Sequence, residues 1–583
     1  MPKDGRAIYL IVEKILSGDE KLPKNWPVHG TTGYDFANQV AEVLVDHDAE
    51  GTITKTFKRF IGHSLHFGHL VYAKKRLVMR ISLANEVDVL SSMVDRLSEQ
   101  NRWYRDYTLE ALARAVRETI ACFPVYRTYL EPGKPVSPED RAVIERAVAS
   151  AKRRNPAIEE SIFNFLRDLL LFRFPENLDE VQRAAHAEFV LKLQQFTGPI
   201  MAKGVEDTVF YIYNRLVALN EVGGEPHVFG LSVEAFHQRN LRRQRDWPDS
   251  LLATSTHDTK RSEDVRARML AITEIPQLWG RSLQKWRTAN RRFKKQIDDA
   301  EAPDAGEEYL LYQTLLGTWP VDIDGVPAPA VGKEFVSRIQ NYMGKALKEA
   351  KLNTSWIQPN ENWDNAMLDF VARILEAGPR NKFLPAFLPV AEEIARLGAV
   401  NSLAQITIKF TAPGVPDVYQ GTELWDDSLV DPDNRRPVDY AKRREMLRQV
   451  ENVPAGDLMR CWADGRIKLR LTQRLLHLRR DNAALFREGN YGAIKFGGAF
   501  ADCAIGFVRR HGERAIVVIV PRLSSRVGFP PVGDRWQDTH GNLPSGLPGL
   551  RDVFSEREVR AESSQLKLSE AMSQLPFAVF TNS

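Results

Sequence analysis

The chain has 583 residues, 43% hydrophobic and 27% charged, the balance of an ordinary folded protein with room for several domains and a large core. Its 80 basic and 76 acidic residues leave a net charge of +4, which favours neither nucleic acid nor an anionic membrane as a partner. Three scattered cysteines exclude a disulfide framework and a CxxC metal site, and the sequence shows no signal peptide and no apolar run of membrane-spanning length, so we expect a cytoplasmic protein.

Residues 1–40 contain two predicted strands. The apolar run Ile8–Val12 predicts the first, and this run ends in a carboxylate, Glu13. Residues 28–31 predict the second. Parallel α/β barrels carry their catalytic groups at the carboxyl ends of the strands, so Glu13 is a candidate catalytic residue.

Residues 41–245 are predicted to be mostly helical. Ile81–Arg117 has apolar residues three or four positions apart and contains no Gly or Pro. Pro138–Arg154 continues the pattern, with Ser137 as the expected N-cap and Pro138 at the first helical position. A barrel crossover needs only a dozen or more residues, so we interpret this segment as an insertion.

Residues 246–490 are predicted to alternate strands with long helices. The run 251–256 ends in His257 and Asp258, and the run 405–410 is the other predicted strand. A second strand that ends in an acid makes Glu13 and Asp258 a candidate carboxylate pair of a glycosidase-type site. Residues 491–583 contain short β-rich runs among many Gly and Pro, which predict a small antiparallel β-domain.

These elements predict an α/β fold: part of a (β/α)8 TIM barrel, a large helical insertion that forms a lid, and a C-terminal antiparallel β-domain. The first barrel strand already carries the acid Glu13, whereas such a site also needs groups from earlier strands. We therefore expect the chain to be the second half of an enzyme.

Several long motifs occur in an order that resembles the maltooligosyltrehalose synthase family, a branch of the α-amylase superfamily (glycoside hydrolase family 13). The motifs are Val12–Leu16, Trp26–Asp35, Met201–Thr208, Thr254–Asp264 and Pro413–Glu423, with the continuation Asp431–Pro437.

The resemblance implies that the four strands are strands 5–8 of the barrel. Glu13 then follows the fifth strand as the general acid/base, and Asp258 follows the seventh as the second catalytic carboxylate. The implied substrate-binding residues are Tyr34, Asp35, Lys203, Glu206, His257, Lys260 and Arg261. The nucleophilic aspartate of the family follows the fourth strand, so we expect it, with strands one to four, to be missing. Asp4 precedes the first strand and is a poor substitute.

The implied activity is an isomerisation that needs no metal or cofactor. The reducing-end α-1,4 linkage of a maltooligosaccharide becomes an α,α-1,1 linkage, which gives maltooligosyltrehalose for trehalose biosynthesis. A hydrolase or glucanotransferase of the same superfamily is the alternative within this class. The helical insertion favours the isomerase, because the released glucose must be held and water excluded.

A different alternative is an inactive fragment, or one half of a split enzyme whose partner chain carries the N-terminal half of the barrel. Individual residues also have structural alternatives. Glu13 could form an ion pair with Lys14 or Lys21, and Asp258 could cap a helix. Lys203 and Glu206 could be a solvated helix start before a helix over Val209–Asn220, and Lys260 and Arg261 could face solvent. Asp431, Asp433 and Arg435 could form only a salt-bridged turn. Trp356, Trp363 and Trp425 are candidates for stacking on sugars, with core packing as the commoner role of tryptophan.

Overall fold

The computed structural model describes residues 8–174, 178–451, 453–547 and 549–582, so Asp4 lies outside the described residues. Strands β1 (Ile11–Val12) and β2 (Gly30–Thr31) run parallel, with Ile11 opposite Gly30. Both are shorter than the runs predicted at 8–12 and 28–31.

A second parallel pair lies beside the first. It consists of β3 (Leu251–Leu252) and β6 (Val415–Pro416), between which the chain forms the antiparallel hairpin β4 (Lys295–Ile297) and β5 (Ala300–Ala302).

The two parallel pairs meet between β2 and β3. The N–H of Thr31 donates to Oγ of Ser250 at 3.0 Å. Gly33 has a φ of 92°, and a Cβ at this position would lie 2.6 Å from the backbone nitrogen of Ala253, so the close approach requires glycine. Residues 30–33 therefore run alongside 250–253 in the same direction, and the carboxyl ends of β1, β2 and β3 face one side.

The segment between β2 and β3 is mostly helical, as predicted. Its helices are α1 (Tyr34–Glu42), α2 (Glu50–Ile61), α3 (Phe67–Ile81), α4 (Ala84–Glu99), α5 (Leu109–Ala121), α6 (Pro138–Arg154), α7 (Glu160–Leu170), α8 (Glu180–Met201) and α9 (Val233–Asp246). The predicted cap is confirmed, because Oγ of Ser137 accepts the N–H of Asp140 at 3.0 Å. A core cluster of its own is buried between Val78 and Ile200.

Two helical predictions in this segment need correction. The pattern over Ile81–Arg117 is broken by a turn between α4 and α5. The helix predicted over Val209–Asn220 is wrong, since the chain there forms only the short 3₁₀ turns Val209–Tyr211 and Val217–Leu219. Both turns are buried.

The next segment contains the helices α10 (Glu263–Leu270), α11 (Pro276–Asn290), α12 (Ala305–Thr318), α13 (Lys333–Ala350), α14 (Glu361–Leu375), α15 (Leu384–Thr411), α16 (Tyr440–Val450), α17 (Ala455–Arg460), α18 (Arg466–Asp481) and α19 (Ala483–Glu488).

The strand predicted at 405–410 is wrong, because these residues form the end of α15. The β-branched run favours a strand by propensity, yet α15 packs against α10, α11, α12 and α18 and against the C-terminal sheet, so apolar residues are needed all round it. The hydroxyl of Thr407 donates to the carbonyl of Leu403 at 2.8 Å, which satisfies a buried polar group within the helix. The partner of β3 is β6, a few residues further on.

The C-terminal region is antiparallel β-structure, as predicted. A six-stranded sheet has the order β13-β12-β15-β10-β9-β7, and a three-stranded sheet has the order β14-β11-β8. The elements are β7 (Asn490–Ala493), β8 (Lys495–Gly497), β9 (Ala504–His511), β10 (Arg514–Pro521), α20 (Ser524–Val527), β11 (His540–Asn542), β12 (Gly549–Asp552), β13 (Glu558–Arg560), β14 (Gln565–Lys567), α21 (Leu568–Ala571) and β15 (Ala578–Asn582). Within the described ranges, no helix is both long and apolar enough to cross a membrane.

Candidate active site

The end of β1 and the loop after β3 meet at one tyrosine. Tyr34 is the first residue of α1, and its ring is buried. Its hydroxyl lies 3.5 Å from Oε1 of the exposed Glu13 and 3.1 Å from Oγ1 of Thr256. Oγ1 of Thr256 in turn accepts the N–H of Asp258 at 3.1 Å. The two predicted catalytic carboxylates therefore lie on the same side, at the carboxyl ends of β1–β3, which we call the mouth.

The electrostatics of Tyr34 agree with this geometry. Burial raises the pKa of the phenol above its usual range, and the negative charges of Asp258, Glu13 and Glu221 raise it further. The tyrosine consequently stays protonated at physiological pH and can donate a hydrogen bond to Glu13.

The loop that carries Asp258 is anchored from below by Glu221, which is 1% exposed. One carboxylate oxygen of Glu221 accepts the N–H of Lys260 at 2.7 Å, and the other accepts the N–H of Arg261 at 3.3 Å. The guanidinium of Arg266 compensates the buried charge at 3.2 Å. Glu221 thus fixes the backbone immediately after Asp258.

Two lysines converge on Asp207 at this mouth. Nζ of the buried Lys260 lies 2.8 Å from Oδ1 of Asp207, and Nζ of the exposed Lys203 lies 2.7 Å from Oδ2. Burial alone would raise the pKa of Asp207, but the charges and hydrogen bonds of Lys260 and Lys203 outweigh it and lower the pKa to about 2. The mouth therefore holds a charged Lys–Asp–Lys cluster.

A buried carboxyl with a different character lies next in the chain. Glu206, in the π-helical turn Ala202–Glu206, accepts hydrogen bonds from the hydroxyl of Tyr126 and, at 3.1 Å, from the N–H of Gly223. Burial raises its pKa to about 7, although the nearby Lys260 opposes the shift. This group is therefore poised to be neutral or ionised near neutral pH.

Two further predicted substrate-binding residues, Asp35 and Arg261, are also engaged within the protein. Asp35 accepts from the hydroxyl of Thr31 at 2.9 Å and lies 3.8 Å from the guanidinium of Arg243. Arg261 is 1% exposed and donates to the hydroxyl of Tyr342 at 2.8 Å. The structure places both behind the mouth, where they support its walls.

His257 is exposed at the rim, and the loop 431–436 closes over it. The carbonyl of His257 accepts from the guanidinium of Arg435 at 3.4 Å, and Arg435 also pairs with Asp431 at 3.4 Å. Asp433 instead pairs with Arg338 of α13 at 3.0 Å. The predicted salt-bridged turn is present, and it borders the site.

Several structural alternatives are excluded for the described residues. Lys14 pairs with Glu20, and no described lysine or arginine pairs with Glu13. Asp258 does not cap α10, because Oγ of Ser262 accepts the N–H of Val265 as the N-cap of that helix. Solvent exposure is also excluded for Lys260, with 5% exposed, and for Arg261.

Sequence reasoning did not single out Tyr126, Asp207 or Glu221. Asp207 is adjacent to Glu206 within the motif Met201–Thr208, which offered a signal. No sequence signal marked Glu221 or Tyr126, because their roles depend on contacts between residues far apart in the chain. Among the tryptophans, Trp363 is buried and Trp425 is half-buried, whereas Trp356 is exposed.

Known sequences and solved structures resemble this chain. No family model matches the chain. The chain is 33% identical over 549 residues to proteins of two Mycobacterium tuberculosis strains that are provisionally named maltooligosyl trehalose synthase; the match covers 93% of this chain and 62% of the relative. The chain therefore spans less than two thirds of the length of these relatives.

Solved structures give the same result. Maltooligosyltrehalose synthase from Arthrobacter ramosus matches with a TM-score of 0.80 and 32% identity, over 99% of this chain and 66% of that chain. A protein of Sulfolobus tokodaii, described as a hypothetical maltooligosyl trehalose synthase, matches with a TM-score of 0.73 and 28% identity over 98% and 65% of the two chains. The chain is thus similar to maltooligosyltrehalose synthases over nearly its whole length.

Proposed function

We propose that this chain forms the acid/base side of a maltooligosyltrehalose synthase site. The activity is an intramolecular transfer that converts the reducing-end α-1,4 linkage of a maltooligosaccharide into an α,α-1,1 linkage. The observation that carries the proposal is the contact of Tyr34 with both Glu13 and Thr256, since it brings the acid after β1 and the acid after β3 to one mouth.

The proposed roles follow from retaining glycoside chemistry. Glu13 protonates the glycosidic oxygen as the bond between the terminal glucose and the rest of the chain breaks, and a carboxylate nucleophile takes up the remaining sugar. Glu13 then accepts the proton of the anomeric hydroxyl of the released glucose as that oxygen forms the new 1,1 bond. Asp258 holds ring hydroxyls and stabilises the oxocarbenium-like transition state.

The substrate-binding residues are assigned by where their side chains lie. Tyr34 orients Glu13, and the exposed Lys203 and His257 line the mouth as donors and acceptors for sugar hydroxyls. Lys260 and Glu206 are buried and act through Asp207 and Tyr126, to which they bond. Asp35 and Arg261 contribute by holding the walls. No step requires a metal or a cofactor.

We propose that β1, β2, β3 and β6 form strands 5–8 of a (β/α)8 barrel. The barrel parts are then residues 1–40 and 246–490, the lid is 41–245, and the β-domain is 491–583. The nucleophile and the other strands come from a part of the barrel outside the described residues, in the same polypeptide or on a separate N-terminal half-barrel chain. Ile8 is 74% exposed, Tyr9 47% and Leu10 48%, which supports a missing neighbour beside the segment that leads into β1.

The second candidate is that the chain is an inactive fragment. This candidate needs a test because the match covers only 62% of the relatives' length.

The described cysteines are free, which supports a reducing, cytoplasmic location.

The test incubates the chain with maltopentaose, alone and with the N-terminal portion of a related synthase. Non-reducing product that contains an α,α-1,1 linkage, seen only in the mixture, supports the proposal. Glucose and shorter reducing maltooligosaccharides as the main products of the mixture would indicate a hydrolase. Inactivity of both samples would favour the fragment.

A further inference from the structure

The loop between α13 and α14 presents an exposed aromatic ring, Trp356, and the flanking residues Ser355 and Gln358 line a polar groove. Trp356 has 56% of its surface exposed, and Ile357 beside it has 68%. Buried tryptophan is the usual case in this chain, as at Trp279 and Trp286, so the exposure of Trp356 calls for an explanation.

The indole of Trp356 is held in place. Its Nε1 donates to Oε1 of Glu349 at 3.1 Å, and the ammonium of Lys348 lies 5.0 Å from the ring centroid. Glu349 is itself fixed by Lys351, whose Nζ lies 3.4 Å from the second carboxylate oxygen. A ring with a fixed orientation and a large exposed area loses little conformational entropy when a ligand stacks on it.

The groove beside this loop has a volume of about 510 Å³. It is lined by Lys351, Leu352, Asn353, Thr354, Ser355, Gln358, Pro359, Asn360, Glu361 and Asn362. Asn353, Ser355 and Asn360 already bond within the protein. The side-chain amides of Gln358 and Asn362 have no hydrogen-bond partner among the described residues. Each of these two amides can therefore donate one hydrogen bond to a ligand and accept another from it.

A flat apolar ring beside unused amides matches the surface of a sugar chain. A pyranose has C–H faces that stack on an aromatic ring, and its hydroxyls both donate and accept hydrogen bonds. The charges of Glu349 and Glu361 are balanced by those of Lys348 and Lys351, so the groove offers no net charge for an ionic ligand. An apolar peptide would leave the amides unpaired.

The groove adjoins the mouth described above. Nζ of Lys351 donates to Oγ1 of Thr208 at 3.0 Å, and Thr208 directly follows Asp207, which binds Lys203 and Lys260. Thr208 is fully buried, so this bond fixes Lys351, in the wall of the groove, relative to the Lys203–Asp207–Lys260 cluster.

We propose that the Trp356 groove is an accessory binding site for an α-1,4-linked glucan chain, separate from the position where the bond is made. Trp356 supplies the stacking platform, and Gln358 and Asn362 bond the hydroxyls. The identity of the ligand rests on the proposed function, whereas the existence of a sugar site rests on the groove itself.

The test is ¹⁹F NMR on the full chain labelled with 5-fluorotryptophan, titrated with maltoheptaose. Trp356→Phe and Trp103→Phe each remove one resonance and so assign it. Trp103 is the matched control, because it is also exposed, at 72%, and carries a guanidinium 4.7 Å from its ring, but lies on the turn between α4 and α5. The Trp356 resonance should shift in a saturable manner, and the Trp103 resonance should not.

Affinity gel electrophoresis in amylose then measures the contribution of each group. Trp356→Ala should weaken retardation about tenfold and Gln358→Ala by a smaller factor, while Trp103→Ala should match the parent. A Trp356 resonance that stays in place at saturating maltoheptaose overturns the site. An equal shift with cellohexaose overturns the assignment to α-1,4-glucan. Neither readout depends on catalysis, so failure of the isomerase proposal is seen separately, as absent product from maltopentaose.

Discussion

The hydroxyl of Tyr34 lies 3.5 Å from Oε1 of Glu13, which joins the first turn of α1 to the end of β1. Because the same hydroxyl also reaches Thr256 at 3.1 Å, the acid after β1 and the loop after β3 share one hydrogen-bond chain. This relationship leads directly to the catalytic prediction.

Glu13→Gln and Asp258→Asn should each lower turnover by at least about a hundredfold in a complex that has activity. The first variant cannot donate or accept the proton, and the second removes the charge that stabilises the transition state. Lys203→Ala is the control at the same mouth and should cause a milder loss. Turnover near the parent value in Glu13→Gln would show that the acid is another residue.

Glu221→Ala should destabilise the fold by about 3–5 kcal/mol, because Arg266 and the N–H groups of Lys260 and Arg261 would lose their buried partner. Equilibrium denaturation of the isolated chain measures the change. Glu13→Ala, at an exposed position, is the comparison and should lie within about 0.5 kcal/mol of the parent. Equal stabilities of the two variants would contradict the anchoring role.

The stability difference between Glu206→Gln and the parent should depend on pH. The folded-state pKa of Glu206 is about 7, above the ordinary value of 4.5, so its contribution is fully present below pH 4.5 and is lost as the pH rises through 7. The shift corresponds to a penalty of about 3 kcal/mol in the parent above pH 7, which glutamine avoids.

Melting temperatures of the parent and of Glu206→Gln between pH 5 and pH 8 check this prediction. The variant should gain relative to the parent as the pH rises. Asp207→Asn is the control with the opposite sign: the pKa of Asp207 is lowered to about 2, so its contribution is present above the ordinary 3.8 and is lost only as the pH falls through 2. Parallel curves for Glu206→Gln and the parent would rule out the raised pKa.

Binding to an N-terminal half-barrel should depend on the exposed segment before β1, residues 8–10. Ile8→Lys should weaken association with the N-terminal portion of a related synthase by about tenfold, because it places a charge where apolar surface would be covered. Val89→Lys on α4, also at an exposed position, serves as the control. Biolayer interferometry gives both affinities, and equal values would remove this segment from the interface.

Local patterns predicted the elements whose causes are local. Ser137 and Pro138 predicted the start of α6. The pattern of an acid after an apolar run was enough to select Glu13 and Asp258 as candidates. The strand predicted over 405–410 was wrong, because a β-branched segment that is buried on all sides has the same sequence pattern in a strand and in a core helix. Only the packing of α15 determines that the segment is helical. Glu221 and Tyr126 were out of reach because their partners lie far along the chain.

Helix α15 packs both against α10, which follows the Asp258 loop, and against β10 in the C-terminal sheet. Side chains from Phe36 to Val579 belong to one continuous core, whereas residues between Val78 and Ile200 have another. The site loop and the last strands should accordingly melt as one cooperative unit, while the cluster between Val78 and Ile200 can open separately. The mouth thus depends for its rigidity on residues at the far end of the chain, and the bond of Tyr126 to Glu206 is where opening of the helical cluster would reach it.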